Sequence, residues 1–259
     1  MIDFLKQDRY GVYDLERIIA YLRSPDGCPW DREQTHSSIR RNVIEEAYET
    51  AAAIDGGDAG ELLEELGDLL MQVVFHTSIE QEAGGFSLDD VADKVCRKLI
   101  YRHPHVFGDI SVSGADEVLR NWDELKRLEK KQATVGESLR SIPSSMPALM
   151  RAEKLQSRAS KAGCDLLNPQ EALNAAQEEL GLLFSGSGGE NTFGRLFFYA
   201  VCAARLSGVD IERALSASCD SFIGSFEEAE AAGTKPEGAS IYLSLRDIRH
   251  DTKKEKKNY

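Results

Sequence analysis

The sequence of 259 residues contains no apolar run long enough to cross a membrane. Its longest uninterrupted apolar stretch extends only from Leu196 to Ala204, whereas a spanning helix needs about 20 residues. Charged residues at Asp3, Lys6 and Asp8 stand where a secretory signal would be apolar. The five cysteines are scattered and odd in number, which argues against a disulfide framework. We therefore expect a cytoplasmic protein without a membrane partner.

Lysine and arginine are missing from the segment between Asn42 and Asp93, although it contains fourteen acidic residues. The net charge of the whole chain is −13, so the excess negative charge is concentrated in this one segment. Nucleic acids and anionic membranes attract proteins with broad basic surfaces. We therefore expect no nucleic-acid partner, and we look for the chemistry of the protein in the acidic segment.

Proline is missing from two long stretches, Trp30 to His103 and Gln170 to Lys235, and neither stretch shows the alternation typical of strands. In the first stretch Leu62, Leu66 and Leu69 recur at helical spacing, which predicts a wide buried face. Glycine pairs at positions 56–57 and 84–85 bound that helix. The pattern predicts an all-α protein with helices near residues 13–23, 37–54, 60–82, 87–102 and 115–131.

Carboxylates share helix faces in the acidic segment. Glu45, Glu46 and Glu49 lie three or four positions apart on one predicted helix, and Glu65 and Asp68 do so on the next. The short turn between these helices makes them antiparallel neighbours. Crowded carboxylates repel one another unless a cation lies among them, and oxygen ligands suit Mg²⁺ or Mn²⁺. The spacing alone is equally consistent with a solvated acidic face.

The helix that follows the acidic segment is basic. Lys98 and Arg102 lie one turn apart on it, and Lys126 follows on the last predicted helix of this half. A metal can bridge phosphate oxygens while basic side chains neutralise the remaining charge, so the combination indicates a phosphate chain as ligand. A di-iron bundle would take a Glu-x-x-His pair from each of two helices, and the acidic segment contains none.

The second half of the chain resembles a worn copy of the first. The segment from Glu65 to Phe75 can be aligned with the segment from Thr192 to Cys202, which keeps the glycine and the apolar positions. Upstream, Glu45 and Glu46 fall on Glu178 and Glu179. The other three acids are replaced in the second copy: Glu49 by Leu182, Glu65 by Thr192 and Asp68 by Arg195.

The alignment predicts two tandem domains, the second of which has lost most of its carboxylates. We place the first domain at residues 1–135 and the second at 148–250, followed by a charged tail at 251–259. The segment from Ser141 to Pro147, rich in serine and proline, is predicted to be the linker between them.

Four sequence blocks occur in order between about residues 22 and 130. They are Gly27-Cys-Pro-Trp-Asp31 with Glu33-Gln34-Thr35, Glu45-Glu46-Ala-Tyr-Glu49 with Glu65-Leu-Gly-Asp68, Arg102-His-Pro-His-Val-Phe107, and Asn121-Trp122 with Lys126. The acidic block resembles the E-E-x-x-E and E-x-x-D signature of the MazG nucleoside triphosphate pyrophosphohydrolases, and the other blocks are similar to that family as well. In the first block, Trp30 is expected to be a packing residue.

The resemblance implies an all-α fold of tandem four-helix domains, a homodimer, and Mg²⁺-dependent hydrolysis of a nucleoside triphosphate to the monophosphate and pyrophosphate. It implies that the metal is held by Glu46, Glu49, Glu65 and Asp68, with Glu45 as a further ligand or the general base. It implies that the substrate is held by Lys98, Arg102 and Lys126 at the phosphates and by Asn121 or Trp122 at the base or sugar. Trp122 is equally consistent with a core aromatic.

Catalysis is expected in the N-terminal domain, because the second copy lacks three of the four implied metal ligands. The C-terminal domain would then serve dimerisation or stability. Three alternatives stay open on the sequence alone: a non-catalytic module that binds nucleotide or Mg²⁺, a helical scaffold with a solvated acidic face, and a narrower pyrophosphatase for dUTP or another single nucleotide.

Overall fold

The computed structural model describes residues 8–114, 117–118, 121–122, 125–126, 129, 134–164 and 167–233. Within these ranges the regular structure is entirely helical, which confirms the predicted all-α class there. The helices are α1 (Val12–Arg23), α2 (Pro29–Glu33), α3 (Arg40–Gly56), α4 (Ala59–Glu82), α5 (Leu88–Arg102), α6 (Pro104–Phe107), α7 (Val135–Arg140), α8 (Ala148–Lys161), α9 (Pro169–Phe184), α10 (Glu190–Leu206) and α11 (Ile211–Ala231). None of the helices in the described ranges is both long and apolar enough to span a bilayer.

The chain forms two compact units, Met1–Lys126 and Arg127–Tyr259, called here the N-terminal and C-terminal units. The N-terminal unit is organised around α3 and α4, which pack along each other, and α1 packs on α4. Its buried core includes Ile19 from α1, Ile39 at the start of α3, and Val74 and Phe75 from α4. Burial of these aliphatic and aromatic side chains is the main source of stability for such a helical unit.

A tight turn fixes the pairing of α3 with α4. Gly57 ends α3 with a φ of 73°, a left-handed conformation that glycine adopts without steric cost. Asp58 then begins α4, because its carboxylate accepts hydrogen bonds from the backbone N–H groups of Gly60 and Glu61. With two residues between them, the helices run antiparallel, and the acids near the end of α3 face those near the start of α4.

The loop before α3 is held by a buried arginine from α1. The Arg23 guanidinium donates to both carboxylate oxygens of Glu82 on α4, at 2.6 and 2.8 Å. It also donates to the carbonyl oxygens of Asp31 and Gln34, at 2.7 and 3.1 Å. Gly27 is required nearby, since a Cβ there would stand 2.1 Å from the carbonyl oxygen of Tyr21. These contacts of Arg23 are therefore structural, because they anchor the entry to α3.

The C-terminal unit repeats the pairing of two long helices. In it α9 packs against α10, and α8 packs against α10 as well. The side chain of Gln156 on α8 donates to the carbonyl oxygen of Phe198 on α10 at 2.9 Å. The segment predicted as a linker lies within this unit: Ile142 is buried, and Arg158 donates to the Ser141 hydroxyl at 2.8 Å.

Four predicted helices are confirmed within three residues at each end, as α1, α3, α4 and α5. The predicted helix at 115–131 falls largely outside the described residues, as does the predicted tail at 251–259. The short helices α2 and α6 were not predicted, because four or five residues are too few to show a helical period. Two expectations of burial are wrong. Trp30 is 61% exposed, and the predicted buried face of α4 includes Leu66, which is 48% exposed.

Candidate metal centre

Three carboxylates meet between α3 and α4. Glu46 and Glu49 lie one turn apart on α3, Glu65 lies on α4, and one carboxylate oxygen from each falls within 4.8 Å of the others. Asp68, one turn after Glu65, is close enough to raise the pKa of both Glu46 and Glu65 by its charge. These four residues are called the carboxylate cluster below. The structure therefore brings together the carboxylates of three of the four residues expected to hold a metal, and the charge of the fourth, Asp68, acts on two of them.

The carboxylate cluster is electrostatically strained in the absence of a cation. Partial burial raises the pKa of Glu46, and the charges of Asp68 and Glu49 raise it further. The pKa of Glu65 is also raised, first by desolvation and then by Glu49 and Asp68. These shifts mean that the folded protein favours the protonated form of each group more than the unfolded chain does. A positive charge placed among the carboxylates would remove that cost.

The donor set fits a hard divalent cation. All of its side-chain ligands are carboxylate oxygens, on two helices held in fixed register by the Gly57 turn. Oxygen-only sites suit Mg²⁺, Mn²⁺ or Ca²⁺, and histidine or cysteine would be expected for softer metals. Exposed acidic groups also cluster without a metal, but here Glu46 and Glu65 are half-buried and their ionised forms are disfavoured. The residues present therefore fit a bound divalent metal.

Two buried polar residues beneath the carboxylate cluster were not predicted from the sequence. The hydroxyl of Thr50 donates to the carbonyl oxygen of Glu46 at 2.7 Å and contacts that of Glu65 at 3.3 Å, which joins α3 to α4. The side chain of Gln72, in a residue that is only 5% exposed, donates to Oε1 of Glu46 at 3.3 Å. A signal existed in the sequence, since Gln72 is a polar residue on the apolar side of a helix and lies one turn after Asp68.

Glu45 is not brought into the carboxylate cluster. Its Oε1 accepts a hydrogen bond from Nε of Arg41 at 2.6 Å, one turn earlier on α3, and both side chains are exposed. Arg41 stands just before the segment that lacks basic residues, so the sequence argument did not consider it. The proposed role of Glu45 as general base is not supported by this arrangement and stays a prediction.

The residues expected to bind phosphate partly assemble around one aromatic ring. The Arg102 guanidinium lies 5.3 Å from the centroid of the Trp122 ring, and Nζ of Lys126 lies 4.7 Å from it. These distances are typical of cation–π contacts, which hold basic groups against an aromatic face. Lys98 stands one turn before Arg102 on α5 and is half-buried, and Asn121 adjoins Trp122. Trp122 is half-buried, so it is neither a fully buried core aromatic nor a free surface ring.

A second cluster of titratable groups lies further along α4. Nδ1 of His36, in the loop before α3, is 2.7 Å from Nδ1 of His76, and the two rings are parallel within 2°. Nε2 of His36 is 2.9 Å from Oε1 of Glu80. A hydrogen bond between two imidazoles needs one donor and one acceptor, so a single proton lies between the two Nδ1 atoms. Burial lowers the pKa of His76, and the charge of His36 lowers it further.

An ion pair joins α9 to α10 in the C-terminal unit, at the two positions that the sequence alignment pairs with Glu46 and Asp68. Nε and Nη2 of Arg195 on α10 donate to the two carboxylate oxygens of Glu179 on α9, at 2.6 and 2.9 Å. The pKa of Glu179 is lowered by this hydrogen-bonded guanidinium, in contrast to the raised pKa of Glu46. A cavity of about 580 Å³ beside Arg195 is lined by α10 residues and includes one acidic residue, Glu190. This arrangement offers a metal no group of converging carboxylates.

Comparison with known proteins gives consistent matches. Residues 34–107 match the model of the MazG nucleotide pyrophosphohydrolase domain. The chain is 40% identical over 223 residues to the nucleoside triphosphate pyrophosphohydrolase/pyrophosphatase MazG of Thermotoga maritima, covering 84% of each protein. It is 38% identical over 222 residues to the nucleoside triphosphate pyrophosphohydrolase of Escherichia coli K12, covering 82% of this chain and 84% of that protein. The enzyme of the same name from Mycolicibacterium smegmatis is 47% identical over 137 residues, 52% of this chain and 42% of that protein.

We predict that the histidine pair makes the protein less stable as the pH falls. Because the pKa of His76 in the folded protein is lowered below 6.5, the unfolded chain binds more protons between that lowered pKa and 6.5. Stability should therefore rise with pH across this window. His76→Gln should reduce the difference in thermal denaturation midpoint between pH 5 and pH 7.5, measured by circular dichroism. His105→Gln serves as a control, and equal pH dependence in wild type and His76→Gln would contradict the assignment.

We predict that neutralising one member of the carboxylate cluster stabilises the metal-free protein at neutral pH. The raised pKa of Glu65 means that its ionised form is less favourable in the folded state, so Glu65→Gln should raise the denaturation midpoint in EDTA. Wild type should gain about 2.7 kcal/mol at a Mg²⁺ concentration of one hundred times its Kd, and Glu65→Gln should gain clearly less. Glu33→Gln, at an exposed acid on α2, should change neither value. A lower midpoint for Glu65→Gln in EDTA would count against electrostatic strain.

Proposed function

The chain belongs to the MazG family of nucleotide pyrophosphohydrolases, and from that premise we propose that its N-terminal unit hydrolyses nucleoside triphosphates with a divalent metal, Mg²⁺ being the expected ion. The products are the nucleoside monophosphate and pyrophosphate. The observation that carries this proposal is the carboxylate cluster, because carboxylate oxygens of Glu46, Glu49 and Glu65 converge within 4.8 Å and the pKa values of Glu46 and Glu65 are raised by burial and by neighbouring charges. Two relatives that align over more than four fifths of their length are named as enzymes of this activity.

The carboxylate cluster would hold the metal through Glu46, Glu49, Glu65 and Asp68. When bound, such an ion lowers the pKa of a coordinated water and neutralises phosphate oxygens. The two helices set the positions of the carboxylates before substrate arrives, since the Gly57 turn and the Thr50 hydroxyl fix α3 against α4. Preorganised charge of this kind need not be rearranged during the reaction. Glu45 would act as general base only after its hydrogen bond with Arg41 is replaced by one with the attacking water.

The basic residues of α5 and the segment around Trp122 would bind the triphosphate. The contacts of Arg102 and Lys126 with the Trp122 ring hold two positive charges at one place. Lys98 adds a third positive charge, because it lies one turn before Arg102 on the same face of α5. Phosphate oxygens would accept hydrogen bonds from these groups, and Asn121 or the Trp122 ring would contact the base or sugar.

The C-terminal unit would be a degenerate second copy without its own metal. Support comes from the position of the Arg195–Glu179 pair, because Arg195 aligns with Asp68 and Glu179 with Glu46. The guanidinium supplies the positive charge that a metal would supply between α3 and α4. The two remaining ligand positions carry Leu182 and Thr192, neither of which is a carboxylate.

The protein would be a homodimer that uses the outer face of α4. Leu63, Leu66, Leu70 and Val73 recur at helical spacing on that face and are exposed, Leu63 to 76%. Apolar residues that repeat every three or four positions form a stripe suited to packing against another helix. A second copy of the chain is the partner that the resemblance implies.

We predict that the carboxylate cluster is essential for hydrolysis. Purified protein should convert nucleoside triphosphates to monophosphate and pyrophosphate only when Mg²⁺ is present, with products separated by anion-exchange chromatography. Glu46→Gln and Asp68→Asn should each lower the rate by at least about 1000-fold, since metal-held charge stabilisation is worth several kcal/mol. The matched control is Glu179→Gln in the C-terminal unit, which should retain full activity.

Each other outcome of this experiment has a distinct meaning. Release of nucleoside diphosphate and inorganic phosphate would show that a different phosphorus is attacked and would overturn the proposed reaction. Full activity in both Glu46→Gln and Asp68→Asn would place catalysis elsewhere. Nucleotide binding without turnover would favour a regulatory module, and turnover of dUTP alone would favour the narrower pyrophosphatase.

We predict a homodimer of twice the 28.7 kDa chain mass in light scattering coupled to size-exclusion chromatography. The double variant Leu66→Gln, Leu70→Gln should shift this mass toward the monomer because it makes the exposed stripe of α4 polar. An unchanged dimer mass in that variant would place the interface on another surface, and a monomeric wild type would contradict the proposed dimer.

A further inference from the structure

We propose that Gln72 is a positioning residue for the metal site, which it serves by holding Oε1 of Glu46 and so presenting Oε2 to the ion. Nε2 of Gln72 donates to Glu46 Oε1 at 3.3 Å, and Gln72 is among the most buried polar residues of the N-terminal unit. This inference rests on the proposed function, because it assigns a partner to one of the expected metal ligands.

The buried position of Gln72 is costly unless its amide is used. A buried amide without a hydrogen bond loses the free energy of its hydration, whereas an apolar residue at this point would extend the core formed by Val74 and Phe75. Gln72 stands one turn after Asp68, so its side chain lies on the same face of α4 as Glu65 and Asp68. The amide therefore lies at the boundary between the carboxylate cluster and the apolar core.

The chemistry of an amide suits this position better than any charged side chain. A carboxylate at position 72 would add a fifth negative charge to a cluster in which the pKa values of Glu46 and Glu65 are already raised by burial and by neighbouring charges. A basic side chain would form an ion pair with Glu46, as Arg195 does with Glu179, and would therefore compete with the metal. The neutral Gln72 amide donates a hydrogen bond and partly offsets the raised pKa of Glu46 without neutralising it.

A donor behind a metal ligand fixes the orientation of that ligand. Carboxylate ligands are generally hydrogen-bonded by a second layer of groups, and loss of such a partner weakens metal binding by about 10- to 100-fold. For Glu46 the structure shows such a partner, the Gln72 amide at Oε1. We therefore expect Gln72 to act on metal affinity through Glu46 and to make no contact with substrate.

The test compares Gln72→Met with a matched control on the same helix. Methionine keeps the length of the side chain and removes the donor. Gln81→Met makes the same change at an exposed position of α4, where the amide bonds Glu16 at 3.2 Å. The Kd for Mg²⁺ and for Mn²⁺ is measured by isothermal titration calorimetry on the full chain without nucleotide, and the denaturation midpoint is measured in EDTA.

We expect Gln72→Met to raise the Kd for both ions by about 10- to 100-fold, with little change in the midpoint in EDTA. In turnover assays the Mg²⁺ concentration for half-maximal rate should rise by the same factor, while kcat at saturating Mg²⁺ stays within a few fold. Gln81→Met should leave all these values unchanged.

A merely structural role for Gln72 would give the opposite pattern, in which the midpoint in EDTA falls and the Kd is unchanged. That result, with wild type binding Mg²⁺ normally, would overturn the positioning role and leave the proposed function intact. Failure of the wild-type protein to bind either ion would overturn the metal-dependent function itself, and the role of Gln72 with it.

Discussion

Mutual repulsion among carboxylates is the constraint on which the N-terminal unit depends. Glu46, Glu49 and Glu65 are brought together by the pairing of α3 with α4, and burial together with the charges of neighbouring acids, Asp68 included, raises the pKa values of Glu46 and Glu65. The fold tolerates this unfavourable electrostatic free energy because its apolar core is well packed, with Val74 and Phe75 buried. Because the ionised carboxylates are unfavourable without a cation, binding a cation among them lowers the free energy of the folded protein.

Contacts at both ends of the helix pair hold α3 against α4. At the cluster end, Gly57 and Asp58 set the turn, and the Thr50 hydroxyl joins the two backbones. At the other end, His36 bonds His76 and Glu80. The two helices are thus held together by contacts that do not involve the cluster carboxylates, which allows the cluster to be acidic without loss of the fold.

Helical periodicity and charge predicted most of the site, because both are local properties of the chain. Spacing of three and four placed Glu46 with Glu49 and Glu65 with Asp68, and the short turn predicted that the two pairs meet. Contacts made by side-chain geometry were not predictable in this way. Arg41 captures Glu45, and Gln72 reaches Glu46 from the next helix, although neither residue type marks a metal site in a sequence. The roles of Asn121, Trp122 and Lys126 were expected from the resemblance alone, and the contacts of Arg102 and Lys126 with the Trp122 ring were not predicted.

The ion pair between Arg195 and Glu179 shows what separates a catalytic counter-ion from a structural one. A guanidinium tethered to its own backbone is always present, whatever the ionic composition of the cell, and a chelator cannot remove it. It is also coordinatively inert, since it has no vacant position at which water or a phosphate can exchange. Under the proposed function, the C-terminal unit with its built-in cation would be indifferent to magnesium supply, and reactivity would belong to the unit whose cation must be acquired from solution.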